Sequence, residues 1–203
     1  MSYHYLIDTY ATEREKVLGV WSMFQDEDLE SRSHPIDKRG RSVREQMIHQ
    51  CISENLWFIN MLKIDVQAPP LPEEETRLGF IKRYAEDSGK RLEALNDKGA
   101  DWWETELDFF DVKRSRAWVF VRRLVHTSHH RGQQTAYLRM LGREVHSTYG
   151  PSADTGGLMQ NKAPTIYPHP DIDTLIEREE AGLPKSPLPD AADAPVTERP
   201  DLA

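Results

Sequence analysis

Apolar positions recur along the first 142 or so residues at the spacing that gathers them on one side of an α-helix, in four long stretches. The first runs from about Tyr3 to Leu29, where Leu6, Ile7, Tyr10, Val17, Leu18, Trp21 and Phe24 form one stripe. The second opens at Ser42-Val43-Arg44-Glu45, in which the serine oxygen and the glutamate carboxylate can satisfy otherwise unpaired backbone N–H groups, and its spacing extends to about Lys63. Pro69, Pro70 and Pro72 forbid continuation. A third helix is expected from Glu74 to Asn96, with Leu78, Ile81, Tyr84, Ala85, Leu92 and Leu95 inward. Asn96 to Val112 has no helical period, and its Trp102, Trp103, Phe109 and Phe110 suit a loop pinned by aromatic burial or a short hairpin. The fourth helix should run from a Ser115 cap to Leu141, with Gly142 placed to end it at positive φ.

Beyond that point the pattern changes. Nine of the 13 prolines (Pro151, Pro164, Pro168, Pro170, Pro184, Pro187, Pro189, Pro195 and Pro200) lie after Gly150, and no long helix passes through them. The expected organisation is therefore one all-α domain over residues 1–150 and a Pro-rich, irregular C-terminal extension over 151–203. That extension is read as a coil wrapping the helices, followed from about Glu177 by a polar, mobile tail. A length of 203 residues suits one domain with a real core.

Charge narrows the partners. A formal net charge of -8 and a pI near 5.5 would repel nucleic-acid phosphates over most of the surface. The basic run Lys113-Arg114-Ser115-Arg116 with Arg122-Arg123 reads as a solvated, salt-bridged helix face rather than a nucleic-acid site. The N-terminus lacks the basic flank and apolar run of a secretory signal, and no stretch approaches the roughly 18 apolar residues that span a membrane. With Cys51 as the single cysteine, a cytoplasmic protein is expected.

The candidate chemistry lies in the fourth helix, in Val125-His126-Thr127-Ser128-His129-His130-Arg131-Gly132-Gln133. His126 and His130, four residues apart, return to within about 40° of each other on the helix, so both imidazoles can reach one ion. The same spacing also arises by chance on solvated faces. A third ligand must come from elsewhere. His49, inside the second helix among Met47, Ile48, Cys51 and Ile52, is the strongest candidate, a hydrogen-bonded core histidine being the ordinary alternative.

The runs Met47-Ile48-His49-Gln50-Cys51-Ile52-Ser53-Glu54 and His126-Thr127-Ser128-His129-His130-Arg131-Gly132-Gln133, the latter followed by Leu141-Gly142, resemble the DinB family of metal-dependent proteins. The resemblance covers the first 142 or so residues and extends into Tyr149-Gly150-Pro151-Ser152-Ala153-Asp154. It implies metal ligands at His49, His126 and His130. It also implies a four-helix bundle in an up-down-down-up arrangement, with the connection from Lys63 to Glu75 as a crossover. Homodimerisation and a stress-associated role are further implications, as is kinship with thiol-dependent S-transferases or isomerases. His129 points about 100° away from His130 and is read as a support.

Three neutral imidazoles would suit nickel or zinc, with iron(II) or copper also compatible, and would suit magnesium or calcium poorly. Three protein ligands leave a position for water or substrate, where a bound water or thiol loses its proton more readily. Gln133, seven residues after His126, could hydrogen-bond a ligand or substrate, or make an ordinary core hydrogen bond. Tyr137 is expected as a pocket wall, Glu54 in a salt bridge rather than as a general base, and Arg131 beside a carboxylate. Gly132 suggests a closely packed neighbouring helix. His4, His34, His146 and His169 are read as surface residues, and Trp102, Trp103 and Phe109 as core rather than pocket lining. Two functions remain: an enzyme in which the metal activates a small, low-molecular-weight thiol or water (S-transferase or hydrolase type), or a non-catalytic, metal-dependent stress-associated binding protein.

Overall fold

The computed structural model describes residues 3–34, 36, 37, 39–189 and 196 of the 203. Among them the chain is mostly helical. Helix α1 spans His4–Ser22 and buries the stripe of Leu6, Ile7, Tyr10, Val17, Leu18 and Trp21. It stops short of Leu29 because the chain turns at Met23 into a 3₁₀ turn, Asp26–Glu30, whose Gln25 and Asp28 cap one another. Phe24 and Leu29 are still buried.

Helix α2 (Val43–Trp57) starts at the expected capping box: Ser42 Oγ accepts from Glu45 N at 3.2 Å, and Ser42 N donates to Glu45 Oε2 at 2.7 Å. A π turn, Phe58–Leu62, extends it to Lys63, whose φ of 57° ends it. Helix α3 (Arg77–Asn96) begins slightly later than the apolar pattern suggests, where Thr76 Oγ1 accepts from Gly79 N at 3.0 Å. The segment without helical period contains a short helix, α4 (Ala100–Glu104), which its pattern does not show. The antiparallel hairpin β1 (Glu106–Phe109) and β2 (Val112–Ser115) follows, pairing Glu106 with Ser115. Trp103 is buried, and Trp102 and Phe109 pack partly buried against the same cluster. Helix α5 (Arg116–Met140) has its cap at Ser115 and its end at Leu141 and Gly142, φ 69°.

Helix α1 packs on α3 and α5, and α2 packs on α5 and α3. One apolar cluster holds Leu6, Tyr10, Phe58, Trp103 and Phe120, and a second holds Val17, Trp21, Met47, Tyr84 and Leu138. Glu54, fully buried, joins them. It accepts from Tyr10 Oη at 2.6 Å, Tyr84 Oη at 2.8 Å and Arg91 Nη1 at 3.3 Å, and pairs with Arg123 at 3.8 Å. The expected salt bridge at Glu54 is thus a buried network. Arg123 is 1 % exposed, which corrects its reading as part of a solvated face. No described helix is long and apolar enough to cross a membrane.

The C-terminal extension folds back onto the helices. Tyr149 Oη donates to Glu13 Oε1 at 2.9 Å, and its ring packs against the Arg131 guanidinium and the Lys16 ammonium. Glu13 is also the carboxylate that Arg131 anchors, at 3.2 Å. Helix α6 (Ile172–Glu180) lies on α1 and α3, so residues 177–180 are helical where a tail was expected. Glu179 pairs with Arg77 at 2.6 Å, Lys185 at 3.2 Å and His169 at 3.3 Å, and His146 Nε2 donates to the Ser186 carbonyl at 2.8 Å. His146 and His169 are therefore buried rather than at the surface, because the returning chain covers them. The remainder of the expected tail, residues 190–195 and 197–203, lies outside the described residues. Gly132 also departs from expectation. A Cβ there meets nothing within 4 Å, so no helix packs closely against it.

Two outcomes follow. Gly132→Ala, which removes backbone freedom without a clash, should stabilise the protein by about 0.5–1 kcal/mol in chemical denaturation. Burial alone would raise the Glu179 carboxyl, but the His169 hydrogen bond and the Arg77 and Lys185 charges outweigh it and hold it at about 2. A carboxyl depressed on folding stabilises above its unfolded value, near 4.5, and loses that stabilisation as pH falls toward 2. Hydrogen exchange of α6 should therefore accelerate over that window, and Glu179→Gln should accelerate it at neutral pH, since breaking a buried pair costs about 3–5 kcal/mol.

Candidate metal centre

Two helices supply the site. His49 stands on α2, and His126 and His130 stand one turn apart on α5, which packs against α2. One ring nitrogen from each lies within 4.8 Å of the other two. His130 Nε2 is 3.0 Å from His126 Nε2, and His49 Nε2 is 3.4 Å from it. Nitrogens bound tetrahedrally to one ion at about 2.1 Å would stand about 3.4 Å apart, so the spacing fits a single transition-metal ion. The trio could hold such an ion.

The surroundings keep these rings uncharged. Burial and the neighbouring Arg123 charge bring His126 down to about 3. Burial and the adjacent His49 bring His130 down to about 4. His49 is lowered too, by burial and then by the charges of Arg41 and Arg123. Neutral imidazole is the form that ligates.

A hydrogen-bond chain orients the rings. His130 Nδ1 lies 2.9 Å from both Gln46 Oε1 and Gln133 Oε1, and since an amide oxygen only accepts, Nδ1 carries the proton and Nε2 offers its lone pair. Arg123 Nη1 is 3.1 Å from His126 Nδ1 and 2.8 Å from Ser53 Oγ, and its Nη2 is 3.0 Å from Thr127 Oγ1. A guanidinium only donates, so His126 Nδ1 accepts here and that ring's proton sits on Nε2, facing His130 Nε2. One proton thus occupies the position an ion would take. The Trp57 ring stacks over His126 with centroids 6.2 Å apart and meets Phe109 at 5.7 Å, giving the centre an aromatic wall.

The other expected site residues have distinct places. Gln133 touches His130 directly. His129 is exposed, with its ring edge-on to His130 at 5.0 Å, and is not in the trio. Glu54 reaches His126 only through Arg123. Tyr137 does not line the cavity beside His49: its hydroxyl donates to the Arg41 carbonyl at 2.6 Å, so it braces the loop that does. That open cavity, ≈ 420 Å³, is bounded by Arg39, Gly40, Arg41, Glu45, Ile48, His49 and Ile52.

Sequence reasoning missed Gln46, Arg123 and Trp57. Each carried a usable signal. Gln46 precedes His49 by three residues and Arg123 precedes His126 by three, so each shares its histidine's helix face, and Trp57 follows His49 by eight.

Residues 1–162 match the DinB family, and the chain belongs to it. Among solved structures it is similar to a DinB-like protein from Bacillus cereus ATCC 10987 (20 % identity, TM-score 0.63), over 72 % of this chain and 97 % of that one. It is also similar to a DinB-like protein, YjoA, from Bacillus subtilis (14 % identity, TM-score 0.53), over 69 % and 94 %. At these identities the likeness is one of fold. No curated protein matches the chain.

If Gln46 and Gln133 orient His130, the pair Gln46→Leu, Gln133→Leu should lower divalent-metal affinity about 10–100-fold in calorimetric titration while the helical circular dichroism is retained.

Proposed function

We propose that the chain binds one divalent transition metal, nickel or zinc by preference, through His49, His126 and His130, and that it is an enzyme activating a small thiol or water at that ion. The observation that carries this reading is the convergence of three uncharged imidazoles, one of which, His49, lines an open cavity. Three protein ligands leave the ion a free position, and an ion there would supply Lewis acidity that lowers the pKa of whatever it binds. The chain's own residues contribute the rest. His130 is oriented by Gln46 and Gln133, and Trp57 and Phe109 shield one side from water.

A thiol nucleophile has to come from outside. Cys51 is buried, burial pushes its thiol well up, and it does not belong to the trio. The kinship with thiol-dependent S-transferases or isomerases that the DinB resemblance implies favours a low-molecular-weight thiol; ester hydrolysis by bound water is the other enzymatic form. We further infer an up-down-down-up four-helix bundle, supported by the contacts of α1 and α2 with α3 and α5. A cytoplasmic homodimer is part of the same reading, and the exposed apolar residues Trp118, Val121 and Val125 of α5 support the dimer.

The alternative, a non-catalytic stress-associated protein needing metal for its structure, is disfavoured by the Glu54 network, which joins the helices without an ion. Chelation should therefore leave the melting temperature nearly unchanged, and a fall of more than about 10 °C would favour the alternative. Protein purified without added metal should contain about one nickel or zinc per chain, and the His126→Ala, His130→Ala variant should contain none. Metal-loaded protein should turn over at least one member of a panel of thiol-plus-electrophile and ester substrates, and apo protein none. Equal behaviour of the two forms across the panel would contradict the enzymatic reading.

A further inference from the structure

The cavity beside His49 is lined by unlike groups: the His49 imidazole, the apolar Ile48 and Ile52 of α2, and the loop Arg39-Gly40-Arg41. The arginines around this loop are not equivalent. Arg32 pairs with Glu45 at 2.8 Å, Arg39 with Asp37 at 2.7 Å and Arg44 with Glu30 at 2.7 Å. Arg41 makes no ion pair among the described residues. Its charge is nonetheless felt inside the centre, where it disfavours protonation of both His49 and His130.

Its backbone is held on both sides. Tyr137 Oη donates to the Arg41 carbonyl at 2.6 Å, Arg32 Nη1 donates to the Gly40 carbonyl at 2.5 Å, and Ser42 is locked into the α2 cap. The cavity's one carboxylate feels the Arg41 charge but makes no hydrogen bond or ion pair with it. Glu45 is committed to Arg32 and to the Ser42 N–H, and the Arg32 hydrogen bond comes first among the causes that lower its carboxyl. An exposed guanidinium with no ion pair among the described residues, carried on a held backbone and lining the same cavity as His49, Ile48 and Ile52, suits an anionic group on a molecule whose reactive atom is at the ion.

We propose that Arg41 is the anion-recognising residue of this site, and that its substrate is a short thiol carrying a carboxylate or phosphate at the end away from the sulfur. The proposal rests on the trio acting as a thiol-activating centre. With an ion held by His49, His126 and His130, the thiol would bind there as thiolate and give its proton to solvent, its aliphatic stem on Ile48 and Ile52 and its anionic end toward Arg41. Arg39, already paired with Asp37, contributes little.

Protein saturated with cobalt(II), a spectroscopic stand-in for the native ion, reports thiolate binding through its sulfur-to-metal charge-transfer absorption. It is titrated with 3-mercaptopropionate, 2-mercaptoethyl phosphate, 2-mercaptoethanol and cysteamine. At least one anionic thiol should bind about tenfold or more tightly than 2-mercaptoethanol, with cysteamine weakest, and the better of the two anions identifies the end group. Arg41→Gln should abolish the preference, Arg41→Lys should keep part of it, and Arg39→Gln should keep it whole. Equal affinities for all four thiols in the wild type, or a preference that survives Arg41→Gln, would overturn the anion subsite and leave the thiol centre standing. Absence of the band with every thiol would overturn the thiol centre and the substrate class with it.

Discussion

A single buried carboxylate constrains all four long helices. Glu54, on α2, is touched by Tyr10 of α1, Tyr84 and Arg91 of α3 and Arg123 of α5, and none of these five side chains has more than slight contact with water. Removing so many charges and hydroxyls from solvent is expensive, and the bonds its members make to one another offset most of that cost, with Arg91 Nε and Arg123 Nε left without a partner. Sliding any helix along its axis would leave a charge unpaired in the core, so the network sets helix register as well as proximity.

That register aligns the histidines. His49 lies five residues before Glu54 on α2, and His126 three residues after Arg123 on α5, so holding Arg123 against Glu54 brings the two ligand-bearing turns face to face. Arg123 acts twice, pairing with Glu54 on one side and, as long as no ion binds at the trio, donating to His126 Nδ1 on the other. Gln46 and Gln133 then fix the His130 ring, and the cavity beside His49 gives access.

Features decided within a few residues were legible in the sequence. The Ser42/Glu45 box, the Ser115 cap and the Gly142 terminus are local hydrogen-bonding devices, and each is where the residue types require it. Helical spacing showed that His126 and His130 share a face, and the DinB-like motifs pointed to His49. Features that depend on distant partners were not legible. Gln46 bonds a histidine 84 residues away, and its only local mark is that it shares a helix face with His49. Arg123 sits in a basic run that looks solvated until Glu54 is brought against it. His146, His169 and Glu179 were hidden for the same reason, since a proline-rich stretch gives no periodic sign that it will fold back and bury them. Proline rules out a long helix, but the nine residues of α6 fit between Pro170 and Pro184.

Whether one ion is held by three imidazoles drawn from two helices can be read from X-ray absorption at the metal edge of the loaded protein. Outer-shell scattering from three imidazole rings is expected, with nitrogens at about 2.0–2.1 Å and one or more exchangeable ligands completing the sphere. A fit requiring no more than one imidazole, or a coordination sphere of carboxylate and water oxygens alone, would contradict the three-imidazole centre.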